Sequence, residues 1–173
     1  MDVSEIIKLF LPLPPNQRAA LMTQNLMGFD ALLGMRFESV DPTRVCATLA
    51  VTDRHTQPYG LVHGGVYATL GESTCSVGAA MAVIAAGNNA VGVENRTRFH
   101  RGARPGTTLH IEAVPVSSTS RLATWKAVIT SGDGVRHATS QVTIAILKPG
   151  TRIAGEDVEL VGGIDVGAAP EEP

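Results

Sequence analysis

The chain has 173 residues, 44% hydrophobic and 17% charged, with a formal net charge of -2. That length predicts one domain that buries roughly two thirds of its unfolded surface. The near-neutral charge excludes a general electrostatic attraction to nucleic acid or to an anionic membrane, so an anionic ligand must be met by local arginines.

Two cysteines, Cys46 and Cys75, are too few for a disulfide scaffold and predict a reducing, cytoplasmic setting. Asp2 and Glu5 stand where a secretory signal needs bases. Residues 1–15 are expected to form a short helix ending at Pro12, Pro14 and Pro15. Asn16 is the expected N-cap of a second helix, Gln17 to Met27. Residues 1–28 thus read as an N-terminal helical segment. Strands are predicted at Arg36–Val40 and Arg44–Val51 around an Asp41-Pro42-Thr43 turn. The stretch from Asp53 to Gly64, rich in turn formers, predicts an irregular loop.

From Gly65 to Ala86 the residues are small and apolar without a polar face, which predicts a helix buried on nearly every side. Gly87 is placed to end it. The apolar run Val77–Ala86 is too short to span a bilayer. Strands are then predicted at Val91–His100, Thr107–Val116, Leu122–Thr130 and Val135–Leu147. Ser131-Gly132-Asp133-Gly134 is a hairpin signal between the last two. The order is helix, two strands, long helix, then four strands in a meander. It predicts an α+β fold, an antiparallel sheet wrapped around a long central helix, over residues 29–149. Residues 150–173 read as a tail, its last eight or so loosely held.

Chemistry concentrates where the loop enters the long helix. Gly64 and Gly65 allow close approach to the backbone, and free N–H groups at a helix start favour negative charge, which are the parts of an oxyanion hole. Glu72 lies two turns further on among apolar neighbours, and positions three and four away are Ala68, Thr69, Cys75 and Ser76. A carboxylate in apolar surroundings without a local cation is a functional candidate rather than a structural ion pair. Ser76, at i+4, shares its face and is placed to orient it. Cys75 reads as a core residue. The five histidines, His55, His63, His100, His110 and His137, lack metal-ligand spacing, so no metal is expected.

Gly64 and Glu72 are eight residues apart, about 12 Å along a helix. Groups that act on one carbonyl must lie within about 3 Å of it. If both residues act, antiparallel helices across a two-fold axis bring Gly64 of one chain to Glu72 of the other, giving a dimer with shared sites.

Several segments carry a resemblance to a known family: Gln57-Pro58-Tyr59-Gly60, Val62-His63-Gly64-Gly65, Leu70-Gly71-Glu72-Ser73, Val91-Gly92, Asn95, Phe99 and Arg101. Over Gln57–Lys148 the chain resembles the hotdog-fold thioesterases. The likeness is to the phenylacetate-pathway branch, and within it to 4-hydroxybenzoyl-CoA thioesterases that use a glutamate. The resemblance implies hydrolysis of an acyl-CoA thioester without a cofactor, CoA being part of the substrate. It implies that the Gly64 N–H polarises the carbonyl and that Gln57 and His63 position that carbonyl or shape the loop. Glu72 is then nucleophile or general base, with the Ser76 hydroxyl beside it. Gly65 and Asn95 are expected around the substrate. Arg101, Ser120 and Arg121, with Lys148 as a further candidate, are expected at the nucleotide end of CoA. Gly102 after Arg101 departs from the proline many relatives carry. A homodimer paired into a dimer of dimers is implied as well. The alternative is a non-catalytic acyl-CoA-binding protein of the same fold, told apart by whether free thiol is released.

Overall fold

The computed structural model describes residues 9–153 and 155–157. The expected helix over residues 1–15 and the loose tail end lie largely outside them. Helix α1 (Pro15–Gln24) begins on proline: Pro14 takes the N-cap position without a side-chain cap and Pro15 the first turn. Asn16 is therefore inside the helix and is not its cap. A proline at that position presets φ and lacks the N–H that a cap would satisfy. The helix stops before Met27, and a second short helix that the pattern did not predict, α2 (Gly28–Leu33), follows. Gly34 closes it in the left-handed conformation, φ 72°.

Strands β1 (Arg36–Asp41) and β2 (Arg44–Ala50) form the expected hairpin, its turn held by the Thr43 N–H donating to Asp41 Oδ1 at 3.0 Å. The following loop contains one 3-10 turn, Asp53–His55. Buried His55 accepts from the Thr52 N–H on Nδ1 (2.9 Å), so its proton sits on Nε2 and donates to the Leu33 carbonyl (2.9 Å), tying the loop to α2. Helix α3 (Gly64–Val83) continues as a 3-10 turn, Ile84–Ala86, to Gly87 at φ 73°. Four strands follow: β3 (Asn89–Phe99), β4 (Thr108–Ser118), β5 (Leu122–Ser131) and β6 (Arg136–Leu147). A small pair, β7 (Arg152–Ile153) and β8 (Glu156–Asp157), lies within the expected tail.

All six long strands join one antiparallel sheet in the order β1-β2-β4-β5-β6-β3. The predicted four-strand meander is thus wrong for its first member: β3 pairs with β6 at the far edge. Tight hairpin rules bind only short turns. Residues 100–107 are long enough, with Pro105 and Gly106, to carry the chain across the end of the sheet.

Helix α3 touches every one of the six strands, a sheet wrapped on a helix as expected for the hotdog architecture. The helix is not buried all round. Tyr67, Leu70, Gly71, Thr74, Cys75 and Gly78 are buried against the sheet, while Ala68, Glu72, Ser76 and Val77 are half-buried. Glycine permits that close approach: a Cβ at Gly78 would overlap the Trp125 ring. With its 3-10 extension the helix does reach the length and apolarity of a membrane span, against the sequence expectation. The sheet packed along it accounts for that apolarity.

The sheet's edges differ. At β1, Thr23 of α1 both receives the Phe37 N–H (2.9 Å) and donates to the Phe37 carbonyl, and Arg18 donates to the Val40 carbonyl at 3.0 Å. At β3 no further strand lies alongside among the described residues, and Val93 and Phe99 are 60% and 56% exposed.

Candidate functional site

The loop before α3 is built by its own polar groups. The Gln57 side-chain oxygen accepts from the Tyr59 N–H at 2.6 Å, and Gly60 turns the chain at φ 73°. His63 is the N-cap of α3, its Nδ1 accepting from the Gly65 N–H at 2.9 Å. Both side chains therefore shape the loop within this chain. The Gly65 N–H is already occupied, which removes it as a donor to substrate. The Gly64 N–H finds no acceptor among the described residues. Phe99 lies over Gly64, where a Cβ would come within 2.8 Å of its ring.

Glu72 sits half-buried on the flank of α3 that faces β3. Asn95 Nδ2 donates to Glu72 Oε2 at 2.8 Å and to the Ala68 carbonyl at 3.0 Å. Ser76 Oγ donates to Glu72 Oε1 at 3.3 Å, as the i+4 spacing predicted. A Cβ at Gly92 would overlap the carboxylate as it lies here. Among the described residues no cation pairs with Glu72. Asn95, expected near the substrate, is thus a direct partner of the carboxylate.

The carboxylate opens on a cavity of about 440 Å³ lined by Met27, Phe29, Asp30, Ala68, Thr69, Ser73 and Asn95 as well. Sequence reasoning missed its α2 wall, since nothing in the periodicity separated Gly28–Leu33 from a loop. Ser73 fixes that wall by donating to Asp30 Oδ1 at 2.7 Å. Met27 and Phe29, 59% and 60% exposed, give it an apolar rim.

The continuous helix keeps Gly64 and Glu72 of one chain about two turns apart. The expected nucleotide contacts are likewise divided. Arg101 follows β3 and its carbonyl bonds His137 Nδ1 (3.0 Å), at the start of β6. Arg121, next to Ser120, holds the Ile146 N–H (2.9 Å), near the end of β6 and close to Lys148. Residues 137 and 146 on one strand are about 30 Å apart. One chain's Arg101 and its own Ser120 and Arg121 do not meet. Arg101 and Arg104 share a separate cavity with Thr107, Thr108 and His137, of about 610 Å³.

Cys75 is fully buried, and its thiol is pushed up to about 12 by burial, with the nearby negative Glu72 adding to it. A thiol so far above neutral pH is not a nucleophile. Among the described residues no three His, Cys, Asp or Glu side chains converge as a metal site.

The sheet and its central helix make this a hotdog-fold protein, and comparison with known proteins gives the family. The thioesterase superfamily model matches residues 59–138. A 1,4-dihydroxy-2-naphthoyl-CoA hydrolase of Escherichia coli is 34% identical over 123 residues, spanning 71% of this chain and 87% of that protein. EntH of Cronobacter sakazakii, a proofreading thioesterase, is 31% identical over 115 residues, 66% of this chain and 82% of that protein. The crystal structure of AziG from S. sahachiroi superimposes with a TM-score of 0.68 at 31% identity, covering 72% of this chain and 99% of that one. The chain belongs to the thioesterase superfamily and is a thioester hydrolase.

Proposed function

We propose that the protein hydrolyses an acyl-coenzyme A thioester with a small aromatic or short to medium acyl group, giving the free acid and CoA, in sites shared across a two-fold dimer. The observation that carries this reading is Glu72: a half-buried carboxylate without a cation partner among the described residues, oriented by Asn95 and Ser76, at the mouth of a cavity. The apolar rim of Met27 and Phe29 suits an acyl group. The naphthoyl substrate in the Escherichia coli relative's name agrees with an aromatic one.

In this reading the thioester carbonyl of the bound substrate receives a hydrogen bond from the Gly64 N–H of one subunit. That dipole stabilises the oxyanion that forms when the carbonyl carbon is attacked. Glu72 of the other subunit either attacks that carbon itself or takes a proton from the water that attacks. On the first route the C–S bond breaks with the thiolate leaving, and water then cleaves the acyl–carboxylate anhydride. On the second route water adds directly and the thiolate leaves from the tetrahedral intermediate. Both consume one water and release one acid and one thiol.

The open β3 edge, eleven residues long with exposed Val93 and Phe99, supports a second copy as its partner. Val116 and Leu122, 59% and 47% exposed near the β4–β5 turn, suit the further pairing of dimers into tetramers. Because Arg101 and Arg121 lie far apart in one chain, the phosphates of CoA are read here as held by Arg101 of one subunit and by Ser120 and Arg121 of a neighbour. Free Cys46 and Cys75 accord with a cytoplasmic enzyme.

Purified protein is tested with aryl, hydroxyaryl and aliphatic acyl-CoAs, following free thiol. Release from at least one class, with saturation, is expected. Binding of acyl-CoA without thiol release from any of them contradicts the proposal and leaves a binding protein.

A further inference from the structure

The bonds behind Asn95 have a direction. Thr97 Oγ1 donates to Asn95 Oδ1 at 2.7 Å, and Ser140 Oγ lies 2.8 Å from Thr97 Oγ1. Thr97 has one hydroxyl proton and gives it to Asn95, so the second contact is filled by Ser140 as donor. With its oxygen so engaged, the Asn95 amide turns both N–H groups to the helix, one to the Ala68 carbonyl and one to Glu72. The reverse amide orientation would set its oxygen against two acceptors and leave Thr97 facing an NH2. The chain of donors therefore runs Ser140, Thr97, Asn95, Glu72.

Its far end is anchored. Ser140 is 1% exposed on β6, and room for its hydroxyl exists only because residue 71, adjacent to Glu72, is glycine: a Cβ there would overlap Ser140 Oγ. Thr97 and Ser140 pair across β3 and β6 in register, so the sheet itself fixes their separation. Asn95, in contrast, is exposed on an edge strand and has rotamer freedom unless something holds it.

The geometry points to Thr97 and Ser140 as positioning residues that aim the Glu72 carboxylate by fixing the orientation of Asn95. This rests on the reading of Glu72 as the catalytic carboxylate. Neither Thr97 nor Ser140 lines the cavity beside Glu72, so neither acts on substrate there directly. The relay works on the reactive step: a misdirected amide costs turnover while the substrate still binds.

The test uses full-length protein and whichever acyl-CoA it hydrolyses. Thr97→Val keeps the side-chain shape and removes the hydroxyl. It is expected to lower kcat about five-fold with KM unchanged and the fold retained, and Thr97→Ser to retain wild-type kcat. Asn95→Ala, which removes a bond to a charged group, is expected to lower kcat about thirty-fold. The readout a merely structural role would not move is the double variant: in the Asn95→Ala background, Thr97→Val adds no further loss. Wild-type kcat in Thr97→Val, or the same five-fold drop in both backgrounds, overturns the relay. Glu72→Gln, folded and keeping more than about a tenth of wild-type kcat, overturns the reading of Glu72 instead, so the two failures are distinguishable.

Discussion

The two edges of the sheet solve the same problem differently. Both β1 and β3 leave a row of backbone donors and acceptors without a strand beside them, a standing invitation to association. At β1 the chain closes the edge itself: α1 packs on it, Thr23 bonds Phe37 through both backbone atoms, and Arg18 reaches the Val40 carbonyl. At β3 nothing in the described chain closes it, apolar Val93 and Phe99 stay exposed, and the strand carries the partner of the one cation-free carboxylate on the central helix. The covered edge serves stability. The open edge is where the proposed second subunit and the proposed chemistry would sit.

The sharpest break is at the open edge's carboxylate. Glu72→Ala, with an unchanged circular dichroism spectrum, is expected to lower kcat by about a thousand-fold or more, on the order of 4 kcal/mol of transition-state stabilisation. A loss below ten-fold removes Glu72 from the chemistry. Next is association: Val93→Lys places a charge on the exposed apolar edge and is expected to weaken dimerisation at least about ten-fold, seen by sedimentation velocity across concentrations. Activity should fall in parallel as dimers dissociate. A wild-type dimer would show that the β3 edge is not the interface.

A smaller effect is expected at the covered edge. Thr23→Val removes both bonds to Phe37 and should cost about 1–2 kcal/mol of stability in denaturant unfolding, with kcat unchanged. An equal loss of activity would blur the division between the two edges.

The smallest effect concerns Cys75, inside both. Its thiol is raised from 9.0 to about 12, chiefly by burial, so the folded state favours the protonated form. That contribution is fully present below pH 9.0 and is lost as pH rises toward about 12, because the unfolded thiol ionises first. Cys75→Ala lacks this dependence. Its stability deficit relative to wild type should therefore narrow in melts taken between pH 9 and pH 10.5, with thioester turnover unchanged at neutral pH. A deficit that stays constant contradicts the burial effect, and lost turnover would return Cys75 to consideration as a nucleophile.

Much of this was legible in the residues. Strand periodicity, the helix expected from Gly65 to Ala86 and the Ser131–Gly134 turn depend on local pattern, and they formed close to where expected. So did the Glu72–Ser76 contact, which helical spacing alone dictates. What escaped the sequence is what depends on tertiary placement. No local signal says that β3 pairs with β6, and without that pairing Thr97 and Ser140 look like ordinary polar strand residues. The arginines after β3 and before β5 looked like one phosphate site until the strand order set them at opposite ends. Apolarity nearly all round α3 predicts burial on nearly every side, whereas one flank is covered in this chain and the flank bearing Glu72 is left half-open.

The account turns on Glu72 of one subunit working with Gly64 of another, and subunit mixing tests that most directly. Gly64→Pro removes the N–H at a helix position where proline is well tolerated, and the exposed Phe99 ring has space to move aside for it. Homodimers of Glu72→Ala and of Gly64→Pro should each be inactive. Mixed dimers carry one site with both lesions and one site intact, so random mixing should restore about a quarter of wild-type activity. Confirmed mixed dimers that stay as inactive as either parent would contradict the shared site.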